Sequence, residues 1–241
     1  MIVREIGARD SELLSAFETS DVSEVRRYHQ AMAYGKAYDR FISSMTITQE
    51  MWHDGIGYET DALAEMTAEE LAELVKRMKE CGDWRDVEAL SLIAAIEHEK
   101  PASAAKVTLK ERAKSKDKIG LRAAAALRDM GETGAGDLED SVVETLLRMG
   151  DGSAFSEALD RSEEFPTPRV KLALLKCARD HSTMGVHCAA MLYFHAGLAK
   201  ESFDWDHRPF FLRFNAEDEE DRARAFKELC AKVRVDLTTV K

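Results

Sequence analysis

Apolar residues recur at intervals of three and four along most of the chain. Between Val22 and Met45 this spacing predicts one long helix with a single buried face. After Cys81 the same spacing returns in shorter segments, each bounded by glycine, proline or a polar turn: 86–98, 102–114, 118–130, 138–149, 153–161, 169–180 and 184–199. Valine and isoleucine do not alternate with polar residues in the way that is typical of a strand, and proline occurs only at positions 101, 166, 168 and 209. The sequence therefore predicts an all-α protein.

One further helix is marked by its first residues. Thr67 and Glu70 have the spacing of a capping box, in which each side chain accepts a hydrogen bond from the backbone N–H of the other residue. We therefore expect a helix over residues 68–79.

Helices of this length are marginally stable alone, so their apolar faces must be buried against neighbouring helices. Val87, Leu90 and Ile93 form such a face in the first short segment. Consecutive antiparallel hairpins bury these faces by stacking. The expected architecture is a short α-solenoid of stacked helical hairpins, with a helical N-terminal region at 1–66, repeats over 67–201 and a C-terminal capping segment and helix over 202–241.

The turns between segments carry a resemblance to a known family. In LLRMGDGSAF, residues 146–155, a leucine-rich helix ends in Gly-Asp and the next begins after a small-residue turn, and ALRDMGE at 126–132 is a second such turn. Glycine suits a left-handed helix end, and aspartate or serine can cap the following helix. Both turns resemble those of bacterial HEAT-type (armadillo-like) repeats, although Gly152 stands where that family usually has proline. The resemblance covers roughly residues 84–200 and implies a stacked-hairpin fold, while HEAT-like stacks have many functions.

The stretch FDWDHRPFFLRFN, residues 203–215, concentrates aromatic rings among charged side chains. These rings are too apolar to be exposed together, and stacked repeats need a cap over their last apolar face. We expect Phe210, Phe211 and Phe214 to form this cap beneath the helix that carries Phe226 and Leu229. A partner-binding loop and a catalytic segment are the alternatives.

The polar residues of the same stretch would then form its exposed edge. Asp204, Asp206, His207 and Arg208 lie between the aromatic residues, and an aspartate–arginine pair could fix the turn. We expect this edge to be exposed to solvent.

The charge balance limits the classes of partner. With 34 basic and 45 acidic residues the net charge is −11, which repels nucleic acid and anionic lipid. The basic cluster KVTLKERAKSKDK, residues 106–118, lacks an aromatic residue to stack on a base, so we expect a solvated helix face there. The sequence has no run of about 18 uncharged apolar residues, which a membrane span would need. The sequence therefore favours a protein partner, most simply a basic one, over nucleic acid or membrane.

The cysteines and the first ten residues indicate the cellular compartment of the protein. Cys81, Cys177, Cys188 and Cys230 are far apart, form no C-x-x-C pair and lie in apolar helical patterns, as buried thiols do in a reducing compartment. The start MIVREIGARD places charges where a signal peptide needs an apolar run. Together these features predict a cytoplasmic protein.

Two groups of residues could carry chemistry. His187, Cys188, Met191 and His195 share one helix, but eight residues separate the two histidines by about 12 Å of rise, too far for one ion to bind both. The loop at 52–61 combines His53, Asp54 and Tyr58, residue types that perform acid–base catalysis, without a nucleophile or a glycine fingerprint for a nucleotide. We therefore predict no metal, no cofactor and no catalytic residue.

Three functions fit this sequence. We favour a non-enzymatic protein-binding module with an acidic surface, for example an immunity-type inhibitor of a toxin, because helical repeats offer extended surfaces. Its candidate partner-binding residues are Trp84, Arg85, Asp204, Asp206 and His207. A HEAT-like lyase or another enzyme that binds a small ligand or metal would use the loop of His53, Asp54 and Tyr58. An assembly scaffold would form oligomers through the surfaces of Trp84 or Trp205.

Overall fold

The computed structural model describes residues 34–46, 48, 54–132, 138–148, 152–180 and 182–235. Every regular element in these ranges is a helix, which confirms the all-α prediction. The chain divides into two compact units, Met1–Met66 and Thr67–Lys241. The three-part division at 66/67 and 201/202 stays a prediction.

The described part of the first unit is a small helical cluster. Helix α1, Lys36–Ser44, packs against a 3-10 helix over Thr60–Glu65. Phe41 is fully buried, and its ring meets Tyr58 edge-on at 5.5 Å. Residues 22–33 of the long helix predicted over Val22–Met45 lie outside the described residues. Helix α1 begins at Lys36 and the backbone of Gly35 before it is extended, so the prediction of one continuous helix through Gly35 is wrong.

The described part of the second unit is a succession of short helices. They are α2 Ala68–Arg77, α3 Trp84–Ala95, α4 Glu99–Ala113, α5 Lys118–Asp129, α6 Leu138–Arg148, α7 Gly152–Ser162, α8 Pro168–Asp180, α9 Ser182–His195, α10 Arg208–Leu212 and α11 Glu219–Lys232. Two 3-10 helices, Trp205–His207 and Arg213–Asn215, flank α10. The predicted capping box is present at α2, where the Glu70 N–H donates to Thr67 Oγ1 at 3.3 Å and the Thr67 N–H donates to Glu70 Oε2 at 2.8 Å.

The helices of this unit pack in a regular order. Consecutive helices α3 and α4, α4 and α5, α6 and α7, and α8 and α9 contact each other. Helices two apart also contact, as α3 does with α5, α5 with α7, α6 with α8 and α7 with α9. Contacts to the next helix and the next but one are what stacked hairpins make, so the packing is consistent with a solenoid-like stack.

Charged residues join neighbouring layers of the stack. Glu157 on α7 is 5% exposed and accepts hydrogen bonds from Arg122 Nε on α5 at 2.8 Å and from Arg161 Nε at 3.2 Å. A buried carboxylate needs such partners, because an unpaired charge would be strongly destabilising. This pairing ties α5 to α7.

All four cysteines are free and buried, as the sequence predicted. Burial raises the pKa of the Cys81 thiol to about 12, so this thiol stays protonated and unreactive near neutral pH. Among the helices that the structure describes, none combines the length and the apolarity that a bilayer-spanning segment needs.

Candidate functional site

The C-terminal segment covers the apolar face of α9. Phe211 and Phe214 are 0% and 2% exposed, and the Phe211 ring meets Tyr193 of α9 edge-on at 5.1 Å. A Cβ atom on Gly185 of α9 would lie 3.0 Å from the Ala178 carbonyl oxygen of α8 and 3.4 Å from the Cβ of Phe214, so α9 lies close to both α8 and the C-terminal segment at this point. The prediction that these two phenylalanines turn inward is confirmed.

Helix α11 is fixed to the cap by one arginine. Arg213 donates through Nη1 to Glu228 at 2.8 Å and through Nη2 to Asp221 at 3.2 Å. Leu229 on α11 is fully buried, whereas Phe226 is half-buried. Charge pairs and apolar contact thus hold α11 against the segment, which makes the cap a firm part of the second unit.

Asp204 holds the turn that leads into the cap. Its carboxylate accepts hydrogen bonds from the backbone N–H groups of Asp206 at 3.0 Å and Lys200 at 3.2 Å. These bonds lower the pKa of Asp204. Because Asp204 is 8% exposed, the expectation that it lies on the solvent-exposed edge is wrong. An aspartate before a short helix satisfies backbone donors that would otherwise lack partners.

His207 also has an internal role. Its Nε2 atom lies 3.0 Å from the Leu198 carbonyl oxygen, and its ring meets Tyr193 edge-on at 5.3 Å. The imidazole therefore ties the 3-10 helix at 205–207 to α9 and to the turn that follows α9. Of the predicted partner-binding residues in this segment, Asp206 is exposed while His207 is half-buried.

An apolar surface remains on the outside of the cap. Trp205 is 63% exposed, and the Arg208 guanidinium lies over its ring, 4.6 Å from the centroid. Leu212 is 48% exposed. Arg208 and Leu212 are four residues apart on α10, so they share one face. We call this set, Trp205, Arg208 and Leu212 with Asp206 beside them, the Trp205 surface.

The second predicted site, at the start of α3, is engaged internally. Arg85 is 5% exposed, and it donates through Nε and Nη2 to the two carboxylate oxygens of Asp83 at 2.8 and 2.6 Å. Hydrogen bonding from Arg85 lowers the pKa of Asp83, which also caps α3. Trp84 is half-buried and lies 5.7 Å from the Arg85 guanidinium. Arg85 therefore stabilises the start of the helix, and only Trp84 offers part of its surface to a partner.

The two histidines of α9 face different surroundings. His187 is exposed, and its ring lies 5.6 Å from that of Phe203. His195 lines a cleft near the end of the helix. In the described ranges, no three histidine, cysteine, aspartate or glutamate side chains converge as metal ligands would.

The loop proposed for acid–base chemistry is seen only in part. His53 lies outside the described residues. Asp54 is exposed, and the Tyr58 ring packs against Phe41 in the first unit. The three side chains are therefore not brought together by anything that the structure describes.

The basic cluster at 106–118 is largely paired within the chain. Lys106 and Lys110 both bind Glu132, at 2.8 and 2.9 Å, and these hydrogen bonds lower the pKa of Glu132 to about 2. Arg112 binds Asp117 at 2.7 Å. Much of the positive charge on this helix is thereby balanced by neighbouring acids.

Sequence reasoning assigned Phe210, Phe211 and Phe214 to the cap and did not predict whether Trp205 is buried; the structure leaves it exposed. The spacing of Trp205, Arg208 and Leu212 was the available signal, because residues three and four apart share a helix face. Compared with protein-family models, curated protein sequences and solved structures, the chain has no match.

Proposed function

We propose that this protein is a non-enzymatic binding module that engages a basic protein partner through the Trp205 surface. The observation that carries the proposal is the exposure of Trp205, 63%, with the Arg208 guanidinium stacked on its ring. Tryptophan and arginine are among the residues most enriched at binding hot spots.

The rigidity beneath the surface supports the same proposal. Phe203 packs against Trp205 and also against the buried Phe211, and the turn is held by the backbone bonds to Asp204. A side chain that is already ordered loses little conformational entropy on binding, so more of its contact energy appears as affinity. The surface is thus preorganised for a partner.

The net charge of the chain supports a basic partner. Asp206 is exposed beside Trp205, while exposed acids and exposed bases are equally numerous from Lys200 to Val235. Support for a basic partner therefore comes from the net charge of −11 on the whole chain, which would accelerate association with a cationic protein. An immunity-type inhibitor that neutralises a basic toxin is one concrete form of this function, and a HEAT-type origin of the stack is part of the same proposal.

A capture experiment tests this function. The tagged protein is used to retain proteins from its native lysate at low and at high salt, and each retained protein is purified and titrated against the module alone. We expect one basic protein that binds directly and more weakly at high salt. If the purified protein instead carries only a small molecule or metal, or forms oligomers with no other protein, the enzyme or the scaffold hypothesis replaces this one.

A further inference from the structure

A cleft of about 380 Å³ opens beside the C-terminal end of α9. Its walls come from α8, α9 and the end of α11, and the side chains that matter are those of Lys171, Leu192, His195, Lys232, Arg234 and Val235. Small-molecule sites in proteins fall in about this range of volume. The described lining of the cleft does not include Trp205, Arg208 or Leu212.

The ring of His195 is buried beside the cleft. Burial lowers the pKa of His195, hydrogen bonding with the Ser162 backbone raises it, and the charge of Lys171 lowers it. The imidazole is therefore part of the wall of the cleft, with its nitrogens out of contact with solvent.

The cleft is positively charged although the whole chain is acidic. Three of the residues that line it are cationic: Lys171, Lys232 and Arg234. None of the described lining residues is acidic. Lys232 is 3.7 Å from Glu228. Ion pairs between described residues do not include Lys171 or Arg234. These two charges therefore stand beside His195 without a described counter-ion.

Arg234 occupies a backbone position that favours glycine. Its φ angle is 58°, in the left-handed region, whereas the corresponding residues after α5 and α9 are Gly131 and Gly197, with φ of 69° and 68°. An arginine is strained in this conformation and glycine is not. The position thus keeps a guanidinium at the cleft at some cost in backbone energy.

We propose that this cleft binds a small organic oxyanion, with its phosphate or carboxylate group between Lys171 and Arg234. Leu192 and Val235 offer apolar contact for an aliphatic portion of the same molecule. This inference goes beyond the proposed partner binding and does not depend on it.

Calorimetric titration tests the proposal with defined probes. Hexyl phosphate and hexanoate carry the two anionic groups on the same chain, inorganic phosphate lacks the chain, and hexanol lacks the charge. We expect at least one of the two organic anions to bind more tightly than hexanol and inorganic phosphate, and the tighter one identifies the source of the oxyanion. No measurable binding of either anion at millimolar concentration, or equal binding of hexanol, would overturn the proposal.

Three variants locate the binding. Lys171→Gln should weaken the anion roughly tenfold or more, since a charge-assisted hydrogen bond is lost, while Lys176→Gln on the same helix but outside the lining should leave binding unchanged. Arg234→Gly should weaken binding and at the same time raise the unfolding temperature by relieving the backbone. Equal losses in the two lysine variants, or full binding by Arg234→Gly, would place the anion elsewhere and contradict the assignment.

Discussion

The guanidinium of Arg208 lies over the exposed ring of Trp205, 4.6 Å from its centroid. This cation–π contact and the edge of Phe203, whose ring is 6.2 Å away, hold the indole against the cap. The rest of the indole faces solvent. A restrained aromatic ring on a rigid support is what a protein-binding surface requires, and this relationship is the basis of the proposed function.

Replacing Phe211 by alanine tests whether the cap stabilises the unit. The Phe211 side chain is fully buried, so we expect Phe211→Ala to lower the free energy of unfolding by about 3–5 kcal/mol. Chemical denaturation followed by circular dichroism measures this loss. The neighbouring Leu212 is 48% exposed, and Leu212→Ala should cost no more than about 0.5 kcal/mol. Equal effects of the two variants would show that the cap does not stabilise the unit.

Two glycines in helices give a matched test of the packing between turns. A Cβ atom on Gly120 would lie 2.1 Å from the Ser115 carbonyl oxygen, so Gly120→Ala should destabilise the protein by about 1–3 kcal/mol through overpacking. No atom lies within 4 Å of the corresponding position on Gly152. Gly152→Ala should therefore be neutral or stabilise by up to about 1 kcal/mol. Thermal unfolding of both variants measures the difference, and a stabilised Gly120→Ala would refute the close approach at α5.

The lowered pKa of Asp117 predicts that the stability of the folded protein depends on pH. Burial by itself would raise the pKa of Asp117, but hydrogen bonds from Arg112, Ser115 and the Gly120 backbone outweigh it and lower the pKa. A lowered pKa in the folded state means that the stabilisation is complete above the unfolded pKa of about 3.9 and is lost as the pH falls below it.

The variant Asp117→Asn isolates this charge, because asparagine can still cap α5. The Asp117 side chain is 44% exposed, so solvent screening limits the expected loss at neutral pH to about 1 kcal/mol. Urea denaturation from pH 7 to pH 3 should show the difference from the parent shrinking below about pH 4. A difference that grows in acid would mean that the charge is unfavourable in the folded protein.

The helices could be predicted from the sequence because periodicity and capping act locally. Thr67 and Glu70 marked the start of α2 correctly, and the segments after Cys81 match α3 to α9 within a few residues at each end. Burial of Phe211 and Phe214 followed from the need to close a stack. The helix predictions depend only on residues close together in sequence, and the burial of the two phenylalanines depends on the rule that the last apolar face of a stack must be covered.

The site could be predicted only in part because exposure is set by tertiary contacts. Arg85 looked like a surface residue from its type, yet its bidentate pair with Asp83 places it inside. Asp204 looked like part of a wet edge, yet it satisfies backbone donors. The cleft at His195 joins α8, α9 and the end of α11, and no local pattern reports a contact between segments so far apart in sequence.

The measurement that tests the central claim most directly is the affinity of the captured partner for Trp205→Ala, with Leu92→Ala as the control. Leu92 is an apolar side chain of α3 that is 42% exposed and lies outside the Trp205 surface. We predict that Trp205→Ala weakens binding by about 2 kcal/mol or more, as a hot-spot residue does, while its free energy of unfolding changes by no more than about 1 kcal/mol. Leu92→Ala should bind like the parent. Parent-like affinity in Trp205→Ala would contradict the claim that this surface binds the partner.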